Sequence, residues 1–326
     1  MTAAPLVSIC MPCFNAAPWV GAALDSALAQ THAPIEIIVV DDGSTDETPA
    51  ILDGYRAHGV KIIRQANAGH STAANRALAE ATGPYVKFLD ADDLLHPKMV
   101  ARQVAALAGR TDAVALGEWA RFYTDPAEAT FNPLPMYRTA LPADWLTEEL
   151  RGGKPMMQCA MFLIPRAILQ RTGGWDERLS LINDFELFAR VLLASGEIVH
   201  APGARLYYRS GLAGSASRQK SRAAAESAVL SLTLGTAHLL AAEDSARARL
   251  AAANILRTFD HDFYPAYPDL RHRLAVRIAE LGGSDLTPPG PPAFHRLRRL
   301  VGWRAARRIQ LLAERFGLNR AARSNR

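Results

Sequence analysis

Cysteine is scarce in this chain, three residues among 326. Three thiols cannot all pair, so a disulfide framework is excluded and reduced thiols suit a cytosolic chain. Also missing is the Gly-x-Gly-x-x-Gly turn that a dinucleotide-dependent oxidoreductase needs after its first strand, since Pro12 to Pro18 hold no glycine. The opening MTAAPLVSICMP has no basic start, apolar core or small-residue cleavage site, and the expectation is a cytoplasmic protein. Long apolar runs are absent: the nearest, residues 227–242, contains Ser, Thr, Gly and His between charged flanks and reads as a buried helix. No fixed-period repeat occurs, and 49% hydrophobic with 21% charged residues describe a globular chain of one large or two modest domains.

Charge is unevenly spread. Net charge is +5, but residues 294–326 hold ten arginines against a single acid, Glu314. The remaining body is therefore mildly acidic. That distribution argues against a nucleic-acid-binding core, so no nucleic-acid partner is expected, and for an appended contact with an anionic membrane face or acidic partner.

Short β-rich runs at 7–11, 35–40, 60–64 and 85–89 alternate with segments of helical periodicity, such as Val20, Leu24 and Leu28. Thr48 and Pro49 read as an N-cap and first-turn proline. The alternation predicts an α/β fold, a mostly parallel sheet flanked by helices, with ligands beyond the carboxyl ends of the strands. Polar clusters stand there: Pro12-Cys13-Phe14-Asn15, Asp41-Asp42-Gly43-Ser44 and Asp90-Ala91-Asp92-Asp93. The predicted organisation is a ligand-binding half over 1–110, a proline-broken, loop-rich second half of the same domain over 111–215, and a helical C-terminal extension over 216–285. A proline-rich linker over 286–293 and a basic amphipathic tail over 294–326 follow. In the tail Leu297, Leu300, Val301, Ile309, Leu311 and Leu312 interleave with arginines around Trp303, the pattern of an interfacial helix or of a surface helix packed on its own body or a twin chain.

Three carboxylates in four residues at a strand end repel one another unless a cation sits among them. Hard oxygen ligands favour Mg²⁺ or Mn²⁺, which complete their shells with water and phosphate oxygens, so a diphosphate-bearing substrate is implied. The alternative is a solvated turn capping a helix over 94–107. Asp42 can accept hydrogen bonds from a nucleobase or ribose, or its turn can simply cap the next helix.

Taken in order, Pro12-Cys13-Phe14-Asn15, residues 39–46, Asn67-Ala68-Gly69, residues 89–93 and Gly174-Trp175-Asp176 resemble the nucleotide-sugar glycosyltransferases of family 2, with the GT-A fold. The likeness covers residues 6–210. It implies inverting, metal-assisted sugar transfer from a nucleoside-diphosphate sugar, most naturally a UDP-sugar carrying a hexose or hexosamine, to a hydroxyl on a glycan or lipid-linked glycan. Carried over, Pro12, Asn15 and Asp42 would line the nucleoside pocket, with Gly69 letting the backbone approach. Asp90 would face the ribose and metal, Asp92 would be the main metal ligand, and Asp93 a further ligand or an orienting group. Asn75 matches a donor-side position, although Ala74 stands where Arg is common. Arg209 would meet the diphosphate, with a structural salt bridge as its alternative. The catalytic base would be Asp184, preceded by Asn183 where the family more often has an acid; the alternative is a helix cap. A helix N-terminus near a metal should depress its pKa.

Two rival functions remain on sequence grounds. One is a noncatalytic nucleotide-sugar binder or scaffold, which would keep Asp42 and Asp92 without needing Asp184. The other is a thiol-disulfide oxidoreductase using Cys10 and Cys13, whose C-x-P-C spacing fits, although Cys10 is expected inside a strand. Zinc is not expected, because Cys159 alone remains to complete a site.

Overall fold

The computed structural model describes residues 4–212 and 219–315. The first half alternates as the apolar periodicity predicts: β1 (Val7–Cys13), α1 (Val20–Leu28), β2 (Ile35–Asp41), α2 (Thr48–Tyr55), β3 (Lys61–Arg64), α3 (His70–Glu80) and β4 (Tyr85–Phe88). β1 lies parallel to both β2 and β4, and β2 to β3. With helices over both faces, every residue of β1 and β4 is buried. The chain then runs through β5 (Leu94–Leu95), α4 (Met99–Leu107), β6 (Ala113–Phe122), α5 (Pro142–Arg151), β7 (Phe162–Pro165), α6 (Arg166–Thr172), α7 (Asn183–Leu193) and β8 (Glu197–Arg209). β7 pairs antiparallel with β4 and β6, and β8 runs parallel to β6. The sheet order is β3-β2-β1-β4-β7-β6-β8-β5. This is the expected α/β architecture, with parallel pairings in the majority. A helical C-terminal region follows: α8 (Arg222–Ala242), α9 (Ala246–Phe263), α10 (Pro268–Glu280) and α11 (Pro292–Arg315). α8 is long and apolar enough to cross a membrane by composition, yet 56% of that stretch is buried inside the protein.

Several local expectations are corrected. The helix expected over 94–107 begins only at Met99, while Leu94 and Leu95 pair antiparallel with Tyr207 and Leu206. Pro97 explains this, since the residue before a proline is pushed away from helical backbone. Thr48 lies inside α2, and Asp46 accepts its N–H at 3.0 Å; the Thr48 hydroxyl instead accepts the Ala16 N–H at 2.8 Å. β1 continues through Pro12. By strand parity the missing N–H of Pro12 faces the β4 side, where pairing has ended at Cys10–Phe88, so no ladder bond is lost. The region expected as loop-rich contains the long strands β6 and β8, of 10 and 13 residues.

β6 escapes a periodicity reading because AVALGEWARF carries little β-branching and an interior glycine. Gly117 sits where the β6–β8 register shifts, and a Cβ there would lie 2.6 Å from the Ala204 carbonyl oxygen and 3.2 Å from that of Met161. The Met99 Cε at 2.9 Å could yield, but the nearest atom is backbone and cannot. Gly117→Ala is therefore expected to cost about 1–3 kcal/mol of stability. Gly54→Ala in α2, where nothing lies within 4 Å, should gain about 0.5 kcal/mol. Urea denaturation of the two variants checks the contrast; equal shifts would contradict it.

Candidate active site

The carboxyl ends of β1, β2 and β4 open into one crevice. Asn15 follows β1 with φ of 47°, a left-handed backbone that Asn tolerates, and its side-chain oxygen accepts the Thr45 N–H at 2.8 Å. Asp42, buried just after β2, accepts from Gln65 Nε2 at 2.8 Å, the Ala68 N–H at 2.9 Å and the Gly69 N–H at 2.8 Å. Its carboxylate thus ties the 65–69 loop to β2. Gly69 has φ of 93°, and nothing within 4 Å occupies the position of a Cβ, so the backbone is open to close approach there.

The acidic turn after β4 is braced from the antiparallel half of the sheet. Buried Gln158 donates through Nε2 to Asp90 at 3.1 Å and to Asp93 at 2.7 Å. The other Asp93 oxygen accepts the Arg209 N–H at 2.8 Å, and Arg209 Nε donates to the Asp92 carbonyl at 2.8 Å. The Arg209 guanidinium also lies over the Phe122 ring at 4.5 Å. Asp90, Asp92 and Asp93 each offer an oxygen within 4.8 Å of the others. Burial, with the neighbouring carboxylates adding to it, pushes Asp92 up to about 6 and raises Asp93 well above the carboxylate range. Three hard donors held this close against their own repulsion form a donor set that fits a divalent cation. Asp93, with both oxygens hydrogen-bonded, is placed to orient its neighbours.

Beneath the turn, the fully buried Lys87 ammonium of β4 donates to Gln103 Oε1 at 2.8 Å and to the Ala160 carbonyl at 2.6 Å. Burial lowers its pKa to about 7. It fixes the segment carrying Gln158, whose Oε1 in turn accepts the Ala160 N–H at 2.6 Å.

α7 brings Asp184. Ser227 and Ser231 of α8 hold the approach to this helix, Ser227 Oγ accepting the Leu181 N–H at 2.9 Å and Ser231 Oγ donating to the Ile182 carbonyl at 2.6 Å. Phe185, Phe188 and Leu192 anchor α7 in the core as expected. Asp184 Oδ1 is sealed from solvent and has no hydrogen-bond partner among the described residues. Its pKa is pushed up to about 8 by burial and, secondarily, by the Asp90 carboxylate, with His70 opposing. Desolvation here outweighs the helix N-terminus, whereas the depression expected from sequence counted on a nearby cation as well. Glu186, two residues on, faces another way, against Arg190 at 2.8 Å and His238 at 3.2 Å.

His70 joins the two sides. Its Nε2 lies 3.1 Å from Asp90 Oδ1, its Nδ1 is 3.0 Å from Asn183 Nδ2, and its ring meets Trp175 edge-on at 5.1 Å. Burial acts against a charged imidazole, but Asp90 foremost, then Asp184 and Asp92, raise its pKa. Asp42 holds the Gly69 N–H, and His70, the next residue, is hydrogen-bonded to Asp90 and to Asn183, the residue before Asp184. Neither His70 nor Gln158 was singled out by sequence reasoning. His70 adjoins the Asn67-Ala68-Gly69 motif, whereas Gln158 carries no signal. Asn75 lies apart from these contacts, its amide clamping the Trp175 backbone through bonds of 2.8 and 2.9 Å. Cys10 and Cys13 both lie inside β1, free and buried; burial pushes Cys13 up to about 12 and Cys10 higher. Such thiols are not nucleophiles.

Residues 8–173 match the model of glycosyl transferase family 2. An uncharacterized glycosyltransferase of Rickettsia typhi is 31% identical over 208 residues, 60% of this chain and 61% of that one. The uncharacterized glycosyltransferase EpsJ of Bacillus subtilis is 41% identical over 100 residues, 30% of this chain and 29% of its own length. The chain thus spans less than two thirds of the length of these relatives. Residues 1–349 of S. aureus TarS, solved in complex with UDP-GlcNAc, share the fold with a TM-score of 0.67 at 18% identity, over 85% of this chain and 80% of that one. The family match takes in β1 through α6, half of the chain and all the crevice carboxylates except Asp184, and the chain belongs to glycosyl transferase family 2.

Proposed function

We propose that this glycosyltransferase moves a hexosyl or hexosaminyl group from a UDP-sugar to a hydroxyl on a glycan or lipid-linked glycan, with inversion at the anomeric carbon, on the cytoplasmic side of the cell. The observation that carries this reading is the unpartnered buried oxygen of Asp184 beside the Asp90–Asp92–Asp93 cluster. A pure binding protein has no use for such an oxygen, which destabilises the fold. The TarS structures with UDP-GlcNAc and with UDP support the choice of donor.

On this reading Pro12, Asn15 and Asp42 surround the nucleoside, and the open backbone at Gly69 receives it. Asp92 and Asp90 would hold Mg²⁺ or Mn²⁺, with Asp93 orienting them, and the cation would supply positive charge against the departing diphosphate. Arg209 adds a fixed guanidinium on the same side. Asp184 takes the proton of the acceptor hydroxyl as its oxygen bonds to the anomeric carbon and the bond from that carbon to the diphosphate breaks. Once ionised, a carboxylate whose pKa is raised to about 8 is a stronger base than an exposed one, and the positive charge of a bound cation would favour that ionised form.

Release of UDP from a panel of UDP-sugars with Mn²⁺ tests the activity. Asp184→Asn is expected to slow transfer by about 10²- to 10⁴-fold with donor binding intact. Undiminished turnover would overturn the base assignment, and a wild-type chain that binds donors without transferring would mark a noncatalytic binder. Asp92→Asn should abolish the extra thermal stabilisation that Mn²⁺ gives with UDP, read by melting temperature.

The raised pKa of Asp184 also has a sign. The native chain keeps a proton there that the unfolded chain gives up near pH 4, so this group's contribution to stability falls as pH rises from about 4 through about 8. Asparagine removes that dependence. Without added metal, Asp184→Asn should melt above the wild type at pH 8, with the gap closing toward pH 4; a pH-independent gap would contradict the assignment.

A further inference from the structure

α11 is two helices meeting at Gly302, where φ is 77° and ψ is 158°. One side is packed: Phe294 and Ala306 are buried, and Trp303 meets His261 at 4.9 Å and Tyr264 at 5.2 Å. The other side is not. Leu300 is 83% exposed, Val301 47%, Ile309 48% and Leu312 54%, and the four form the densest group of exposed large apolar residues described. Exposed Arg296 and Arg299 flank them, while Arg304, also exposed, pairs with Asp260 at 3.2 Å and Arg308 lies over the Tyr264 ring at 5.8 Å. At the kink, a shallow cavity of about 330 Å³ opens between Arg257 of α9 and Arg304, lined also by Val301, Gly302, Trp303 and Ala305. The packed side matches the expected placement of this segment on the chain's own body, and the part beyond Arg315 lies outside the described residues.

We propose that this face lies on an anionic lipid surface, its aliphatic residues at the acyl boundary and its arginines among phosphate headgroups. Charge selects the occupant. α11 carries seven arginines and one glutamate, so a second copy presenting the same face would meet like charge. Nucleic acid would match the arginines but leave four large aliphatic side chains in water. An anionic bilayer answers both features at once. The proposal is independent of the transfer chemistry and stands or falls without it.

The full chain is sedimented with phosphatidylglycerol–phosphatidylcholine vesicles and with phosphatidylcholine alone. Binding to the first and not the second is expected. Leu300→Glu/Ile309→Glu/Leu312→Glu should abolish it, and Arg296→Gln/Arg299→Gln should weaken it about 30-fold, by the usual contribution of a basic residue at such a surface. Both variants should keep the wild-type melting temperature and donor hydrolysis. The proposal is overturned if the intact chain stays in the supernatant with anionic vesicles, or if the variants bind as well as the wild type. A chain that ignores vesicles but shifts duplex DNA, or whose dimer the glutamates dissociate, overturns it equally.

Discussion

Like charges held in one poorly hydrated crevice are the constraint around which this fold is arranged. Two carboxylates within 4.8 Å of each other repel by about 3 kcal/mol at an effective dielectric constant near 20. A hydrogen bond to a charged group returns about 1.5–3 kcal/mol. The three hydrogen bonds from Gln158 and the Arg209 backbone therefore offset about half or more of the three pairwise repulsions in the Asp90–Asp92–Asp93 turn. Burial first, and the remaining repulsion second, raise Asp92 and Asp93, while Asp90, hydrogen-bonded to His70, is lowered despite its burial. What is left uncompensated is the field that a cation and a diphosphate would answer.

The sheet divides the work of building that field. Its parallel half carries Asn15 and Asp42 just beyond β1 and β2 and the acidic turn after β4. Its antiparallel half, β7 with its preceding turn and the end of β8, supplies Gln158 and Arg209. Lys87 couples the two: it belongs to β4, but its ammonium bonds to the chain entering β7. Even α8, apolar enough for a membrane, serves the site. Its Ser227 and Ser231 hold the loop that starts α7, and Gly235 leaves room for the Phe185 ring, which would lie 2.4 Å from a Cβ there.

Sequence legibility followed physical type. β1, β2 and β4 announced themselves through apolar runs buried on both faces, β3 through its paired isoleucines, and the aspartates after β2 and β4 through polarity where a buried sheet stops. α7 was readable from Phe185, Phe188 and Leu192. β6 and most of β8 were not, because their pattern is set by the neighbouring backbone at Gly117 and Ala204 rather than by side-chain alternation. Gln158 was invisible for a related reason: it lies 68 residues from Asp90, and nothing local marks a glutamine whose role depends on a partner strand. His70 had a local signal, its place beside Gly69, but the contacts that matter run to Asp90 and Asn183.

Asp184 shows why a residue can be identified from sequence while its chemistry is misread. A helix N-terminus stabilises a carboxylate by about 0.3–1 kcal/mol, and by about 2 kcal/mol at most. Sealing Oδ1 away from water and from every donor costs several kcal/mol, so the proton is retained to about pH 8. Sequence reports the helix position but not the sealing, which is produced jointly by α3, α7 and the acidic turn. Glu186 is the internal comparison: on the same helix turn, paired with Arg190 and His238, it is lowered despite its own burial. Pairing is what separates them, and an Arg or His supplied to Asp184 would relieve the fold while removing its readiness to accept a proton. The orphan oxygen is therefore a local cost of the kind that functional sites retain.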